Sequence, residues 1–200
     1  MNTENESTEE KILAAAEEIF LRDGYAGSRM QDVADLAGIN KALLHYYFRS
    51  KDKLFEKIFD KKASIMFPQM EELFEIETPF TDLLCTYVEK YMELLMANPF
   101  LPLFIMTTIN KPNGQDFIQK LPFAINRKLI ETYSKEVASG KVKALNPLHF
   151  VLSIFSMCAF PFMAKPVLKI MANADDDQFK ELMQSRVAEI QGYIRVLLKP

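Results

Sequence analysis

The sequence predicts an all-α protein on three observations. Apolar residues recur at helical spacing along most of the chain, typical helix-start and helix-stop residues frame these stretches, and no stretch alternates apolar and polar residues as a half-buried strand would. We expect an N-terminal domain of three helices over residues 1–50 and a larger helical domain over residues 51–200. A chain of 200 residues is long enough to bury a core in each.

The first helix is marked at both ends. Ser7 and Glu10 have the spacing of a capping box, ahead of apolar residues at helical spacing. Gly24 suits the left-handed conformation that ends a helix, so we expect the helix to stop there. Ser28 and Gln31 repeat the capping-box spacing, which predicts that a second helix begins directly after Ser28.

Residues 28–51 predict two short helices joined by a tight turn. Gly38 supplies the positive φ that the turn requires, and Asn40 is a favourable cap for the helix that follows. Ala34 is small enough to lie where the two helices cross. This layout is typical of a helix-turn-helix, whose second helix enters the major groove of DNA with its N-terminal residues toward the bases.

Prolines and glycines divide the remainder of the chain into further helices. Ser50 should cap a helix that runs from Lys51 to about Phe67 and ends before Pro68. Further helices are predicted over about residues 79–97, 99–108, 117–139, 147–163 and 175–198. The helix over residues 117–139 is expected to be disturbed near Pro122.

One stretch of the chain resembles a known family. The residues that carry the resemblance are Gly24, Tyr25, Ser28, Val33, Ala34, Ala37, Gly38, Ile39, Lys41, Leu44, Tyr46, Tyr47, Phe48, Ser50, Lys51 and Leu54. Their order over about residues 8–55 is similar to the N-terminal DNA-binding domain of the TetR (tetracycline repressor) family. The resemblance implies a homodimeric, one-component transcription regulator, which we take to be a repressor. In this family a variable C-terminal domain dimerises and usually binds a small effector that releases the operator.

The resemblance also implies which residues contact double-stranded operator DNA. They are Ser28, Arg29, Lys41, Ala42, Leu43, His45, Tyr46, Tyr47 and Lys51. Ser28, Arg29 and Lys51 are expected to contact phosphates. Tyr46 and Tyr47 divide between phosphate hydrogen bonding and core packing, and Tyr46 is the better candidate for DNA.

The remaining implied contacts face the bases. Lys41 is expected to donate to a guanine, with a phosphate contact as an equal alternative, and Ala42 and Leu43 suit thymine methyl groups. His45 is expected either to read a base edge or to be a solvated helix residue. Ala42, Leu43 and His45 depart from the family's common pattern, so the operator sequence stays open.

Composition narrows the class of protein. The net charge is −3, and residues 1–62 carry 10 Lys and Arg against 12 Asp and Glu. DNA affinity must therefore come from the placement of charges and not from their sum. The sequence shows no nucleophile-base grouping and no metal-ligand spacing, because its histidines are His45 and His149. We expect neither an enzyme nor a metal or cofactor.

The two cysteines and the amino terminus indicate in which cellular compartment we expect the protein. Cys85 and Cys158 lie in apolar surroundings, and no signal peptide is evident. These features favour reduced core thiols in a cytoplasmic protein, with a redox pair as the alternative.

Ala144–Ala164 contains no charged residue and is about as long as a bilayer-spanning helix. Pro147 lies near its start, however, and Pro161 interrupts its end. A helix buried by its own domain and a partner subunit explains the all-round hydrophobicity equally well. We therefore expect no membrane association.

The last helix carries an apolar stripe, formed by Phe179, Met183, Val187, Ile190, Ile194 and Leu197. Spacings of three and four residues are typical of a coiled-coil seam. The stripe is expected either to pack within its own domain or to pair with the helix beginning at Pro147, through Phe150 and Ile154, in a four-helix dimer interface. We favour the dimer, because the Pro147 helix has more apolar surface than one neighbour covers. A helix-turn-helix also usually needs a second copy one DNA turn away.

The middle of the chain is rich in Phe and Met. Core packing accounts for most of these residues, but together they permit an apolar cavity, because Met and Phe line adaptable pockets well. The predicted lining is Phe100, Phe104, Met106, Phe155 and Cys158. Polar residues that are candidates to orient a ligand are Tyr87, Tyr91, Thr107, Asn126 and Ser153. We expect a flat or elongated hydrophobic effector; the alternative is a regulator without a small-molecule ligand, constitutive or controlled by a protein partner.

Overall fold

The computed structural model describes residues 7–112, 114–121 and 123–200, and over these ranges the regular structure is helical, as the sequence predicts. The helices are α1 (Thr8–Gly27), α2 (Met30–Leu36), α3 (Lys41–Tyr47), α4 (Lys51–Glu72), α5 (Phe80–Ala97), α6 (Leu101–Ile109), α7 (Gly114–Ile118), α8 (Phe123–Ala138), α9 (Pro147–Met163), α10 (Lys165–Ala172) and α11 (Asp176–Leu197). A 3-10 turn, Leu73–Glu75, follows α4. The chain divides into two compact units: the head, which ends at Ile65, and the body, Met66–Pro200.

The head is built around the apolar faces of its helices. Its buried apolar residues include Ile12, Leu13, Ala15, Ala16, Ile19, Phe20, Val33, Ala34, Leu44, Phe48, Leu54, Phe55, Ile58 and Phe59. Leu54 to Phe59 belong to α4, so the compact head extends past Ser50, where the sequence placed the domain boundary. The first half of α4 packs with the helix-turn-helix and is part of the same unit.

Both ends of α1 show their predicted signals. Ser7 N donates to Glu10 Oε2 (2.8 Å) and Glu10 N donates to Ser7 Oγ (3.2 Å), which completes the capping box. The bond from the Ser7 backbone lowers the pKa of Glu10. Gly24 has a φ of 67° and breaks the helix, although one further turn runs to Gly27. This bend brings the Tyr25 ring edge-on to Phe55 of α4, with centroids 5.3 Å apart.

The prediction that the fourth helix ends before Pro68 is wrong. α4 continues through Pro68 to Glu72. A proline inside a helix removes one backbone hydrogen bond and costs about 3 kcal/mol or more. Met70, which follows the proline, is buried in the core of the body, and this packing stabilises the last turn of the helix.

The body is organised around α5 and α11, which pack along each other. Gln191 Nε2 of α11 donates to the carbonyl of Cys85 (3.2 Å), and Arg195 pairs with Asp82 (2.9 Å). α9 contacts α5, α8 and α11. The uncharged α9 therefore has several neighbours within its own chain, which accounts for its apolar sequence.

The residues predicted to form a dimer interface lie instead in the hydrophobic core of the body. Phe150, Ile154, Phe179, Met183, Ile190 and Ile194 are buried within the single chain, and Val187 is partly buried against the same cluster. The stripe on α11 thus packs within its own domain, which was the alternative left open by the sequence. The physical reason is that α5 and α9 already cover its apolar side chains.

Two segments of the body differ from the predicted helices. The stretch predicted as one helix over residues 117–139 forms α7 and α8. The sequence predicted no helix for the segment that forms α10. Lys165 and Lys169 of α10 both pair with Asp176 at the start of α11 (2.6 and 3.2 Å), and their hydrogen bonds lower the pKa of Asp176.

Within the described ranges, none of the helices alone has both the length and the apolar character of a membrane span. Two sharply bent pairs of consecutive helices, α5 with α6 and α9 with α10, would meet that test when each pair is taken together.

Candidate nucleic-acid interface

The turn between α2 and α3 has the geometry that the sequence predicts. Gly38 adopts a φ of 68°, a conformation that side chains with a Cβ rarely tolerate. Ile39 N donates to the carbonyl of Ala34 (3.0 Å), which closes the end of α2. Asn40 Oδ1 accepts from Leu43 N (2.8 Å) and caps α3. These bonds fix the direction in which α3 leaves the turn.

α3 has one buried face and one exposed face. Leu44 is fully buried, and Phe48 directly after the helix is also buried. Lys41, Ala42 and His45 are exposed. The exposed face also carries Leu43 and Tyr46. The helix therefore presents its first residues to solvent and is anchored from the opposite side.

Neither of the two tyrosines of α3 is buried in the core, although the sequence left core packing open for Tyr47. Tyr46 is 82% exposed, whereas Tyr47 is 39% exposed and so lies at the edge of the core and not within it. Their rings meet edge to face with centroids 5.6 Å apart. Both side chains thus reach the solvent beside the exposed face of α3.

The structure at the start of α2 differs from two expectations about Ser28, its capping box with Gln31 and its phosphate contact. The cap residue of α2 is Arg29, which makes no side-chain cap bond, so the predicted capping box of Ser28 and Gln31 is not formed. Gln31 bonds Asp35 instead (2.7 Å). Ser28 is buried, and its hydroxyl donates to the carbonyl of Tyr25 (2.9 Å). This bond holds the hydroxyl within the head and leaves it poorly placed for the predicted phosphate contact, while the Arg29 side chain is exposed.

Lys51 was also expected to face DNA, but its ammonium group points into the head. Nζ donates to the carbonyls of Tyr25 (2.5 Å) and Ser28 (3.0 Å). It also lies 4.4 Å from the centroid of the Tyr25 ring. These contacts link the first turn of α4 to the connection between α1 and α2.

The charges of the head are arranged unevenly. Glu9 and Glu17 of α1 pair with Lys57 and Lys62 of α4 (3.2 and 2.7 Å), so acidic residues of the first helix are partly neutralised within the fold. By contrast, the exposed side chains of Arg29, Lys41 and Arg49 form no ion pair with another described residue. Although the formal charge of the head is negative, cationic side chains around α3 are thus left available to bind an anionic partner.

The residues predicted to line an effector cavity do not share one environment. Cys158 is fully buried, and Phe155 packs edge-on against Tyr91, with centroids 5.4 Å apart. Phe104 is buried edge-on against Phe117 (5.5 Å). Phe100 is partly exposed, and Met106 is 42% exposed. Phe155 and Cys158 therefore belong to the body's core, and Met106 faces outward at least in part.

The polar side chains of this part of the body differ in exposure and in hydrogen bonding. Of the side chains considered for ligand binding, Thr107 and Ser153 donate to carbonyls of their own helices. Asn126 Oδ1 and Thr108 Oγ1, however, are buried without a hydrogen-bond partner among the described residues. Thr108 was missed in the sequence, because a lone threonine in an apolar helix gives no sign that its hydroxyl is unsatisfied.

Burial also sets the ionisation of the phenols and thiols nearby. It raises the pKa of Tyr87 and of Tyr91 far above the ordinary value, and it raises the pKa of Cys158 to about 12. Cys85 is buried too, and burial raises the pKa of its thiol. Both cysteines are free thiols, so the core contains neutral groups at physiological pH.

A capped helix-turn-helix with an exposed second helix, on a head distinct from a larger helical body, defines the helix-turn-helix class of DNA-binding regulators. Residues 12–58 match the family model for bacterial regulatory proteins of the tetR family. These residues, and with them the helix-turn-helix of the head, therefore resemble the DNA-binding domain of the TetR family.

Similar proteins agree with this assignment. The chain is 38% identical over 53 residues to the HTH-type transcriptional repressor NicS of Pseudomonas putida, a match that spans 26% of this chain and 25% of NicS. It is 27% identical over 150 residues to the HTH-type transcriptional regulator RutR of Escherichia coli O157:H7, covering 72% of this chain and 69% of RutR. The structure of FadR from Bacillus subtilis in complex with stearoyl-CoA has a similar fold, with a TM-score of 0.62, 20% identity and coverage of 90% and 96% of the two chains.

Proposed function

We propose that this protein is a one-component transcriptional repressor that binds operator DNA with α3 in the major groove. The observation that carries the proposal is the exposed first turn of α3, Lys41 to Leu43, held on a buried Leu44 behind a capped Gly38 turn. The major groove is wide enough to admit one helix, and its base edges distinguish all four base pairs. A rigid helix with an exposed leading edge is suited to reading them.

The roles of individual residues follow from their positions. Lys41 is placed to donate to guanine O6 or N7, while Ala42 and Leu43 offer apolar contact to a thymine methyl group. His45 lies one turn further along the same exposed face and is positioned for a base edge. Arg29, outside α3, is positioned to neutralise a phosphate, which fixes orientation without reading sequence.

Fluorescence anisotropy with a duplex selected from a randomised pool tests this division. Lys41→Ala should weaken binding to the selected duplex by about 1–3 kcal/mol and relax the preference at one base pair. Arg29→Ala should weaken binding to all duplexes alike and reduce the salt dependence. Lys180→Ala, which removes an exposed lysine of α11, is the control and should change neither. If Lys41→Ala and Arg29→Ala behave identically across sequences, the assignment of Lys41 to a base is wrong.

We further propose that the protein is a homodimer. A helix-turn-helix dimer reads two half-sites about one DNA turn apart, which gives useful affinity to two small recognition surfaces. The apolar side chains left exposed at one end of α9 and α11 suit such an interface; they are Leu148, Leu152, Tyr193 and Val196. These ends lie together, since Lys143 N before α9 donates to the carbonyl of Leu198 after α11 (3.0 Å).

The effector that we propose is a hydrophobic small molecule bound in the body. Support comes from the aromatic cluster of Tyr87, Tyr91 and Phe155 next to neutral buried groups, and from the unsatisfied atoms Thr108 Oγ1 and Asn126 Oδ1. Buried polar atoms without partners are unfavourable, and a ligand that bonded them would gain from their satisfaction. The similar fold of FadR holds stearoyl-CoA, which makes a long acyl chain the first class to test.

Native mass spectrometry of the purified protein, followed by thermal shift with acyl-CoA thioesters of graded length, tests for the effector. Thr108→Val should reduce the ligand-induced shift, because it removes an unsatisfied hydroxyl that the ligand would bond. Thr107→Val is the matched control, since its hydroxyl already donates to Phe104 O (3.0 Å). If no molecule co-purifies and no thioester or other lipophile shifts the melting temperature, the alternative is favoured. That alternative is a regulator that is constitutive or controlled by a protein partner.

A further inference from the structure

The ammonium group of the partly buried Lys51 contacts the connection between α1 and α2. Nζ donates to the carbonyls of Tyr25 (2.5 Å) and Ser28 (3.0 Å), at the two sides of the turn that joins α1 to α2. It also lies over the Tyr25 ring, 4.4 Å from the centroid. A lysine ammonium has three N–H donors, and two of them are used by these carbonyls.

Asp52, the residue after Lys51, also binds the connection between α1 and α2. The Tyr25 hydroxyl donates to Asp52, which follows Lys51 in the first turn of α4. The hydroxyl of Ser28 donates to the carbonyl of Tyr25 (2.9 Å). We call Tyr25, Ser28, Lys51 and Asp52 the clasp. It joins two segments more than twenty residues apart in sequence, and its members are bonded to one another through backbone and side chain.

The clasp lies directly beside a residue proposed to contact DNA. Ser28 precedes Arg29, the cap residue of α2, and Arg29 itself makes no side-chain bond to its helix. The position of the Arg29 backbone therefore depends on how Ser28 is held. Ser28 is buried, and both its hydroxyl and its carbonyl are bonded within the clasp.

We infer that Lys51 is a positioning residue that holds the α1–α2 connection on α4, and that it acts on DNA through Arg29 and not through a phosphate contact of its own. A phosphate that drew Nζ out of the clasp would take it from two carbonyls and an aromatic face that already surround it. The carbonyls of Tyr25 and Ser28 would then lose a charge-assisted bond each. The part of this inference that concerns DNA rests on the proposed function; the clasp itself does not.

The salt dependence of DNA binding separates the two roles. The slope of log K against log salt is negative, and each phosphate contact that is lost reduces its magnitude by about 0.9. Arg29→Met should show this decrease. Lys51→Met should weaken binding while the slope stays at the wild-type value. It should also lower the melting temperature and accelerate amide hydrogen exchange over Met30–Ala34, which Arg29→Met should not do. A slope decrease in Lys51→Met like that of Arg29→Met, with unchanged exchange, would overturn the inference.

A second measurement uses the wild-type protein and does not depend on a variant that folds. Reductive methylation followed by mass spectrometry reports how accessible each lysine amine is. Lys51 should react slowly with or without DNA, because its amine is held by two hydrogen bonds in the clasp, whereas Lys41 should react quickly and become protected by DNA. Exposed Lys180 is the control and should react quickly in both states. If Lys51 reacts as quickly as Lys41 and is likewise protected by DNA, it is a phosphate contact. If no duplex binds at all, the proposed function fails, while the rate at Lys51 in the free protein still decides whether the clasp exists.

Discussion

At the scale of single residues, the hydroxyl of Tyr133 connects the end of α8 to the segment before α9. It accepts a hydrogen bond from Leu145 N (2.6 Å) and donates to the carbonyl of Lys143 (2.9 Å), while its ring stacks on Phe150 with centroids 4.5 Å apart. Tyr133 is almost fully buried, so water does not easily replace these bonds. The segment that leads into α9 is thus positioned by one buried hydroxyl.

We therefore predict that Tyr133→Phe destabilises the body by about 1–3 kcal/mol, because the ring still packs while the Leu145 N–H loses its acceptor and the Lys143 carbonyl loses its donor. Urea unfolding followed by circular dichroism measures the change. Tyr46→Phe removes a hydroxyl from a tyrosine that is 82% exposed and should leave stability within about 0.5 kcal/mol of wild type. Equal stability of Tyr133→Phe and wild type would show that these bonds contribute little.

Single residues also show how far sequence reasoning reaches. The buried Leu44 follows from the apolar pattern of the short helix once the turn is located, and the exposed Lys41 agrees with the resemblance of this stretch to a recognition helix. Ser28 and Lys51 do not follow, because their bonds depend on the approach of segments that are distant in sequence. Both residues carry groups that are typical of phosphate contacts, and only the fold shows that these groups point inward.

At the scale of elements, α9 contains a proline whose missing hydrogen bond is replaced by another helix. Pro161 has no N–H to donate to the carbonyl of Met157, four residues earlier in α9. Arg186 of α11 supplies the replacement, since its Nε donates to that carbonyl (3.0 Å). The irregular point of α9 is thereby tied to α11.

This arrangement predicts a measurable coupling between two positions. Arg186→Met should cost about 1–3 kcal/mol, because it leaves the carbonyl of Met157 without a donor. In a Pro161→Ala background the backbone N–H of residue 161 can serve that carbonyl, so the same substitution should cost less, with a coupling of about 0.5–3 kcal/mol. Chemical unfolding of the four proteins of this cycle gives the value.

The control for this cycle is Lys180→Met, which changes an exposed cation of α11 and should show no coupling to Pro161→Ala. Additive effects of Arg186→Met and Pro161→Ala would show that the arginine does not compensate for the proline.

Helix boundaries illustrate why some elements escape prediction. Pro68 was expected to end a helix, but tertiary packing of Met70 keeps the helix intact beyond it. α10 has no buried residue, although Pro166 in its first turn and the left-handed Asn173 after its end are typical boundary residues. Two lysines of α10 bonded to Asp176 connect it to α11, and such contacts across a turn are not visible in a local apolar pattern.

At the scale of the whole molecule, the apolar stripe of α11 shows what a pattern leaves undetermined. A row such as Phe179, Met183 and Ile190 indicates burial, and these residues are indeed buried. It does not indicate whether the covering surface belongs to the same chain or to a second copy. Here α5 and α9 cover the stripe, so contacts with a second copy have to use the apolar side chains that remain exposed.

The final prediction therefore concerns assembly through the exposed ends of α9 and α11. Leu152 is 58% exposed and lies among the apolar residues that we propose to meet a second copy. A carboxylate there would be desolvated without a partner on dimerisation, which is strongly unfavourable. Leu152→Glu should keep its helical circular dichroism, sediment as a monomer where the wild type sediments as a dimer, and bind a duplex with two half-sites about tenfold or more weakly. Leu103→Glu, on α6 and 47% exposed, is the matched control and should remain dimeric. A folded Leu152→Glu variant that sediments as a dimer with unchanged DNA affinity would exclude this surface, and the search would then move to other exposed apolar residues such as Ile170 and Met171.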